Sequence, residues 1–258
     1  MTEHLTTGWE PEAPTGDTAL RAFLLAWADH LATVVAAGGG RVARSDDALF
    51  TDGATACPFD NTVVLLRPPV EIDVESTLAA ADDFFPGERA WMLVSAWPLA
   101  RRTGPGWHHI GHPPFMLRPA GGEAPAMPTG LRIVEVDDEQ GVADYAAVVG
   151  AGFELDPGVL ADPRTNVPAM RMFVGYEGER PVTTAAAWIG DGMAEVCWVA
   201  TLPEARGRGY GEAVTWAATL AEPSLPAGLV ASDLGRPVYE RMEYLAISRF
   251  TLWMRLAR

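Results

Sequence analysis

Apolar residues in TALRAFLLAWADHLATVVAA, from Thr18 to Ala37, recur every three to four positions. The spacing predicts a helix, which the glycine triplet Gly38 to Gly40 stops. The run NTVVLLRPP from Asn61 is apolar throughout and ends in two prolines, as expected of a buried strand. ESTLAAADDFF reads as a helix, AWMLVSAW as a strand and PPFMLRP as a short edge strand, so the first half has a mixed α/β pattern. The segment RPAGGEAPAMPTG, residues 118 to 130, has no periodicity and reads as a linker. Beyond it, LRIVEV alternates like a strand and DDEQGVADYAAVVGAGF has helical spacing. MRMFVGYEG, PVTTAAAWIG and MAEVCWVAT read as three strands in hairpin succession. After a glycine-rich loop come a helix, GEAVTWAATLAE, a short strand, GLVAS, a helical turn, RPVYERM, and a closing strand, AISRFTLWMRLA. The second half is therefore β-α-β-β-β-loop-α-β-α-β.

Composition narrows the function classes. With 258 residues and 48% hydrophobic content, one large domain or two ordinary ones are expected, with a substantial core. No uninterrupted apolar run reaches the length of a membrane span. MTEHLTTGWEPEAPTGD lacks the order of a signal peptide, so the chain reads as cytoplasmic and without membrane partners. The formal charge is −15 and lysine is absent. Up to residue 128 there are 8 Arg against 16 acids, and after it 11 against 18. Neither part offers a basic surface for nucleic acid. The acidity serves solubility and would also attract a cationic substrate. Cys57 and Cys197, the two cysteines, read as small buried apolar groups.

The stretch TLPEARGRGYGEA sets three glycines at alternate positions beside two arginines, between a strand and a helix. Such a loop aims unbonded N–H groups and the positive end of a helix at one point. Glycines admit an anion to the backbone, and Arg206 and Arg208 add cationic donors. This is chemistry for a phosphate-bearing cofactor. A Walker loop is excluded because it needs lysine. A dinucleotide fingerprint fits poorly, since the preceding strands form hairpins and not a parallel unit.

Arg206-Gly207-Arg208-Gly209-Tyr210-Gly211 resembles the R/Q-x-x-G-x-G/A loop of the GNAT superfamily, the acetyl-CoA-dependent N-acetyltransferases. VATLPEARGRGYGEA is similar to the family's strand-Pro-loop-helix block, and SDLGRPVYERMEY to its last helix, with the Tyr-x-x-x-Gly-Phe ending at Tyr239 to Tyr244. The resemblance covers roughly residues 130 to 258. It implies an α/β fold of α+β type, with a mixed, mostly antiparallel splayed sheet flanked by helices. The implied organisation is an N-terminal α/β domain over 1–118, resembling a degenerate GNAT half and walling the acceptor cleft. A linker follows over 119–130, and the acetyltransferase domain occupies 131–258. The strands MAEVCWVAT and GLVAS would part to admit the pantetheine arm. The backbone at Val199, Ala200 and Thr201, with Ser232, would meet that arm, and the amides of Gly207, Arg208, Gly209, Tyr210 and Gly211 would hold the pyrophosphate. The Val199 N–H would face the thioester oxygen.

Acyl transfer to an amine needs a base for the amine and an acid for the departing thiolate. All five histidines (His4, His30, His108, His109 and His112) precede the linker, so a site built from the second half alone must use carboxylates and phenols. Glu195 is the candidate base. Its position before the loop resembles that of the glutamate in the superfamily's histone acetyltransferases; the alternative is a solvated strand carboxylate. Tyr239 matches the family tyrosine that donates to the coenzyme A sulfur; the alternative is a packing role. Glu243 stands where the family helix ends in glycine, and a left-handed backbone there would strain a glutamate. WHHIGHPP does not align its histidines for a metal, and no metal is expected. Trp188, Trp198 and Trp216 read as core or wall residues, and Asn61 as a cap or turn residue more than a cleft residue. The expected function is transfer of an acetyl group from acetyl-CoA to a primary amine of a small molecule or peptide, by direct attack in a ternary complex. A homodimer is left open. The alternatives are a catalytically silent acyl-CoA sensor or scaffold, and a nucleotide-binding regulator.

Overall fold

The computed structural model describes residues 18–154 and 167–257. Expectations placed on residues 1–17, His4 among them, lie outside the described residues. The elements in chain order are α1 (Ala19–Ala37), β1 (Arg41–Arg44), β2 (Ala48–Asp52), β3 (Asn61–Leu65), α2 (Val74–Phe84), β4 (Trp91–Ser95), β5 (Trp107–Gly111), β6 (Pro114–Arg118), β7 (Leu131–Glu135) and α3 (Glu139–Phe153). They continue with β8 (Met170–Glu177), β9 (Arg180–Gly190), β10 (Met193–Thr201), a 3₁₀ turn (Pro203–Ala205), α4 (Tyr210–Thr219), β11 (Ala227–Val230), α5 (Arg236–Arg241), β12 (Leu245–Arg249) and β13 (Thr251–Arg255).

Local chemistry sets the helix ends. The Thr18 side chain accepts from the Arg21 amide at the start of α1, and Asp138 accepts from Gly141 at the start of α3. Gly38 and Gly39 close α1, their amides donating back to the Val34 and Ala36 carbonyls respectively. The apolar positions of α1 lie on more than one face, so the helix must be enclosed. By length and composition α1 could cross a bilayer. Here Phe23, Leu24 and Leu31 pack on Leu49, Val64 and Met92 of one sheet, while Ala26 joins Met170, Ala186 and Trp188 of the other.

The two sheets do not coincide with the two halves of the chain. One has six strands in the order β1-β2-β3-β4-β13-β5, and the other seven in the order β12-β6-β11-β10-β9-β8-β7. The run PPFMLRP, expected at an edge, is an inner strand: β6 lies between β11 and β12, antiparallel to both. The closing run AISRFTLWMRLA is two strands. β12 stays with the C-terminal sheet, and β13 crosses to pair with β4 and β5. Phe250, fully buried between them, forms an aromatic cluster with Phe23, Trp27 and Phe115 at the crossing. A single apolar-alternating run conceals such an exchange, because both destinations bury the same residue types.

Strand alternation sorts the faces of the seven-stranded sheet. On β9, Ala185 and Ala187 face the cluster containing Val214 and Trp216 of α4, whereas Ala186 and Trp188 face α1 and α3. On β10, Ala194 and Val196 join the α4 side, so Glu195 and Cys197 point the other way, toward α1. β10 and β11 pair in parallel only at Ala194–Ala227 and Glu195–Gly228, and beyond these residues no pairing joins them.

Candidate functional site

The glycine loop begins where β10 ends. The Gly207 and Gly209 backbones have φ of 76° and 78°, the left-handed region that glycine occupies without strain. Among the described residues, the amides of residues 207 to 212 have no hydrogen-bond acceptor; the first α4 bond from this region is Ala213 N–H to Gly209. These amides border a groove of about 520 Å³ lined by Thr201, Arg206, Gly207, Gly209, Gly211 and Tyr239, among others. A Cβ at Gly211 would stand 3.0 Å from Thr201 Oγ1. The glycine therefore permits the close approach of α4 to β10 as well as access to the amides.

The two arginines do different things. Arg206 lines the groove and donates Nε–H to the Thr201 carbonyl at 3.1 Å. Arg208 turns away: it pairs with Glu177 at 2.6 Å, and the Tyr210 hydroxyl donates to the same carboxylate at 3.0 Å. The Tyr210 ring is buried with Leu131 and Val182, so in this geometry Tyr210 presents its backbone to the groove, and Arg208 does not line it.

Just before the loop, β10 carries a bulge. Its register with β9 steps from Cys197–Ala186 to Ala200–Thr184, leaving one extra residue on β10. Trp198 takes this up with φ of 52°, a conformation costing a non-glycine residue about 1–2 kcal/mol. The indole sits between Phe59 and Phe153, with ring centroids at 5.8 and 5.6 Å. Of the three tryptophans singled out above, Trp198 is a cleft wall. Trp188 is buried, and Trp216 packs beneath the Arg118 guanidinium.

Below the bulge lies a cavity of about 190 Å³ walled by Phe23, Trp27, Phe59, Phe153 and Trp198, with Glu195 in its lining. Glu195 is 3% exposed, so it is not a solvated strand carboxylate. Its Oε2 hydrogen-bonds His30 Nδ1 at 2.9 Å, and the His30 ring stacks on Trp188, the cross-strand neighbour of Glu195. The site is not built from the second half alone: α1, from the first half, delivers a histidine beside the carboxylate. Nothing in the local spacing of His30 marks it, because the pairing depends on α1 crossing the second sheet. Cys197 completes a compact group, with one ligand-type atom from each of His30, Glu195 and Cys197 within 4.8 Å of the others. Burial, with the Glu195 charge beside it, pushes the Cys197 thiol well above its ordinary pKa. Cys57 and Cys197 are both free.

Val199, Phe153, Ser232 and Tyr239 line both the cavity and the groove, so the two spaces meet at these residues. Tyr239 is buried, and desolvation raises its pKa to about 12. Its ring lies against Gly235, where a Cβ would stand 2.8 Å from Cε2. Ser232 Oγ accepts from the Gly235 amide at 3.1 Å, fixing the turn that leads into α5. Glu243 does adopt the left-handed backbone, with φ of 66°, and its side chain is 83% exposed. The helix end is held by Tyr244 N–H donating to the Tyr239 carbonyl at 3.0 Å. Asn61 is fully buried and donates to the Thr55 and Ala90 carbonyls, a structural role. His108 is exposed on β5, and the His109 and His112 rings contact each other at 4.5 Å.

Similar architecture occurs in solved structures. A GCN5-related N-acetyltransferase from Kribbella flavida is 22% identical with a TM-score of 0.66, covering 91% of this chain and 95% of that one. A putative acetyltransferase from the GNAT family of Novosphingobium aromaticivorans is 20% identical with a TM-score of 0.57, covering 89% and 99%. A GCN5-related N-acetyltransferase from Sphaerobacter thermophilus is 13% identical with a TM-score of 0.53, covering 90% and 92%. No family model and no curated protein sequence matches the chain. The chain has the GCN5-related N-acetyltransferase fold, and the likeness spans both halves.

Proposed function

We propose that the protein transfers an acetyl group from acetyl-CoA to the primary amine of a small molecule or peptide. The observation that carries this reading is the meeting of two spaces at Tyr239 and Val199: a groove bordered by unbonded amides, and an apolar cavity containing a buried carboxylate. The residues fit the donor. The amides of residues 207 to 212 suit a diphosphate, Gly211 leaves the backbone accessible, and β10 and β11 part beyond Glu195. Acetyl-CoA would supply the activated acyl group. Glu195 would take the proton that the amine loses as its nitrogen bonds to the acyl carbon, with His30 orienting the carboxylate. The Val199 amide, at the bulge, would donate to the acyl oxygen as charge develops there. As the carbon–sulfur bond breaks, the Tyr239 hydroxyl, protonated at neutral pH, would give its proton to the sulfur.

The test combines calorimetric titration of coenzyme A with free-thiol release across an amine panel. Gly209→Glu should abolish coenzyme A binding by placing a carboxylate against the diphosphate. Glu195→Gln should leave binding intact and lower kcat by about 100-fold or more. His30→Ala should lower kcat with the KM for acetyl-CoA unchanged, and His30→Gln should restore part of the loss. Coenzyme A binding without thiol release from any amine would replace this reading with the sensor. Tighter binding of ATP or NAD than of coenzyme A would replace it with a nucleotide-binding regulator.

A further inference from the structure

The acceptor cavity has a composition of its own. Its walls come from both halves of the chain: Phe23 and Trp27 from α1, Phe59 from the β2–β3 loop, and Phe153 and Trp198 from α3 and β10. Phe59 and Phe153 are 36% and 39% exposed, so two aromatic edges stand open to solvent on either side of Trp198. The backbone strain at Trp198 holds an indole at this place, and an outlier beside a cleft points to a role in recognition.

The polar groups of the lining are few and mostly engaged. The Thr62 hydroxyl donates to the Phe59 carbonyl at 3.0 Å, Ser232 Oγ accepts from Gly235, and Glu195 is bonded to His30. A ligand carrying several hydroxyls or several charges would bury them without partners here, at a penalty that excludes it. A ligand with an apolar body and one amine would leave none unpaired. An apolar cavity of about 150 Å³ accepts a benzene ring. The cavity of about 190 Å³ therefore has room for one ring and a short arm.

We infer that the acceptor is a compact arylalkyl or alkyl primary amine, its apolar body among Trp27, Phe59, Phe153 and Trp198 and its nitrogen toward Glu195. This rests on the acyl-transfer reading and specifies its substrate class. Sugar amines and polyamines are excluded by the same walls.

The experiment measures kcat/KM by thiol release for ethylamine through hexylamine, 2-phenylethylamine, glucosamine and spermidine. An apolar pocket predicts a gain of about fourfold per methylene until the cavity is full, then a decline. It also predicts that 2-phenylethylamine exceeds glucosamine by roughly 100-fold or more. Trp198→Ala should flatten the methylene series. Phe59→Ala, at a half-exposed position, should reduce the preference for 2-phenylethylamine. A flat series in the unaltered protein, or glucosamine or spermidine equal to 2-phenylethylamine, would overturn the inference and leave acyl transfer standing. If no amine releases thiol, calorimetric titration of 2-phenylethylamine and glucosamine into the coenzyme A complex decides separately. Preferential binding of 2-phenylethylamine supports the ligand class although transfer fails, and equal or absent binding overturns it.

Discussion

Phe250 sits where the chain leaves one sheet for the other, and its removal tests whether the two sheets share one core. The side chain is fully buried, with Phe23 at 5.9 Å, Trp27 at 5.4 Å and Phe115 at 6.3 Å between ring centroids. Phe250→Ala removes a whole ring from a site whose neighbours belong to α1, β6 and the crossing itself. None of these can close the gap alone, because each is fixed by strand pairing or by contacts on its far side. Such a substitution costs about 3–5 kcal/mol. For a protein of this size that corresponds to a fall in Tm of roughly 10 °C. Urea and thermal unfolding followed by far-UV circular dichroism and by tryptophan fluorescence measure it. The two probes should report one shared transition, displaced to lower urea and lower temperature. A loss under about 1 kcal/mol would refute the burial argument. Two separated transitions in the unaltered protein would refute the shared core. Phe23 and Trp27 also wall the acceptor cavity, so the same variant should raise the acceptor KM more than the acetyl-CoA KM.

Glu243→Gly should stabilise the protein by about 1 kcal/mol, read by urea denaturation, since the exposed side chain gives up only a weak 3.9 Å approach to Arg118 while the left-handed backbone loses its strain. Gly211→Val should impair coenzyme A binding by calorimetry, because its Cβ alone would stand 3.0 Å from Thr201 Oγ1 and the branch would reach over the loop amides. Tyr239→Phe should lower kcat and leave coenzyme A affinity unchanged; an unaltered kcat would remove Tyr239 from the acid role. Burial raises the pKa of Tyr239 to about 12 and that of Tyr145 well above its ordinary value. A raised tyrosine pKa means that folding favours the neutral phenol. The stability these groups contribute is therefore whole below pH 10 and declines from pH 10 through 12, a fall that urea denaturation at stepped pH should follow.

The glycine loop was legible because its signal is local. Glycines at alternate positions between a strand and a helix permit the left-handed backbone that Gly207 and Gly209 adopt. The hairpins β8–β9 and β9–β10 were legible for the same reason. Three things were not. β6 is short and apolar with prolines before it, which reads as an edge, yet its pairing partners lie more than 100 residues away in sequence. β12 and β13 form one alternating run, and only the burial of Phe250 marks the crossing. His30 occupies an apolar helix face where its neighbours Ala26 and Leu31 are core residues. Hydrophobic pattern records which positions are buried, not which element buries them, and all three misses turn on that second question.

The strand exchange also explains why the two ends of the site carry information of different kinds. The proposed diphosphate end is built from consecutive residues of one loop, so its chemistry would depend on backbone and tolerate little change. The acceptor end is assembled from α1, the β2–β3 loop, α3 and β10, held in place by β6 and β13 lying in the opposite sheets. Substituting Trp27 or Phe59 alters the cavity without touching the residues that border the groove, since neither lines it. The half of the chain that lacks a phosphate loop can therefore alter the proposed amine site through Trp27 and Phe59, while His30 makes the same half necessary to the orientation of Glu195. In the proposed mechanism, specificity and the base are coupled through one helix, α1. A change of acceptor that shifts this helix should carry a loss of kcat, whereas one confined to Phe59 should not.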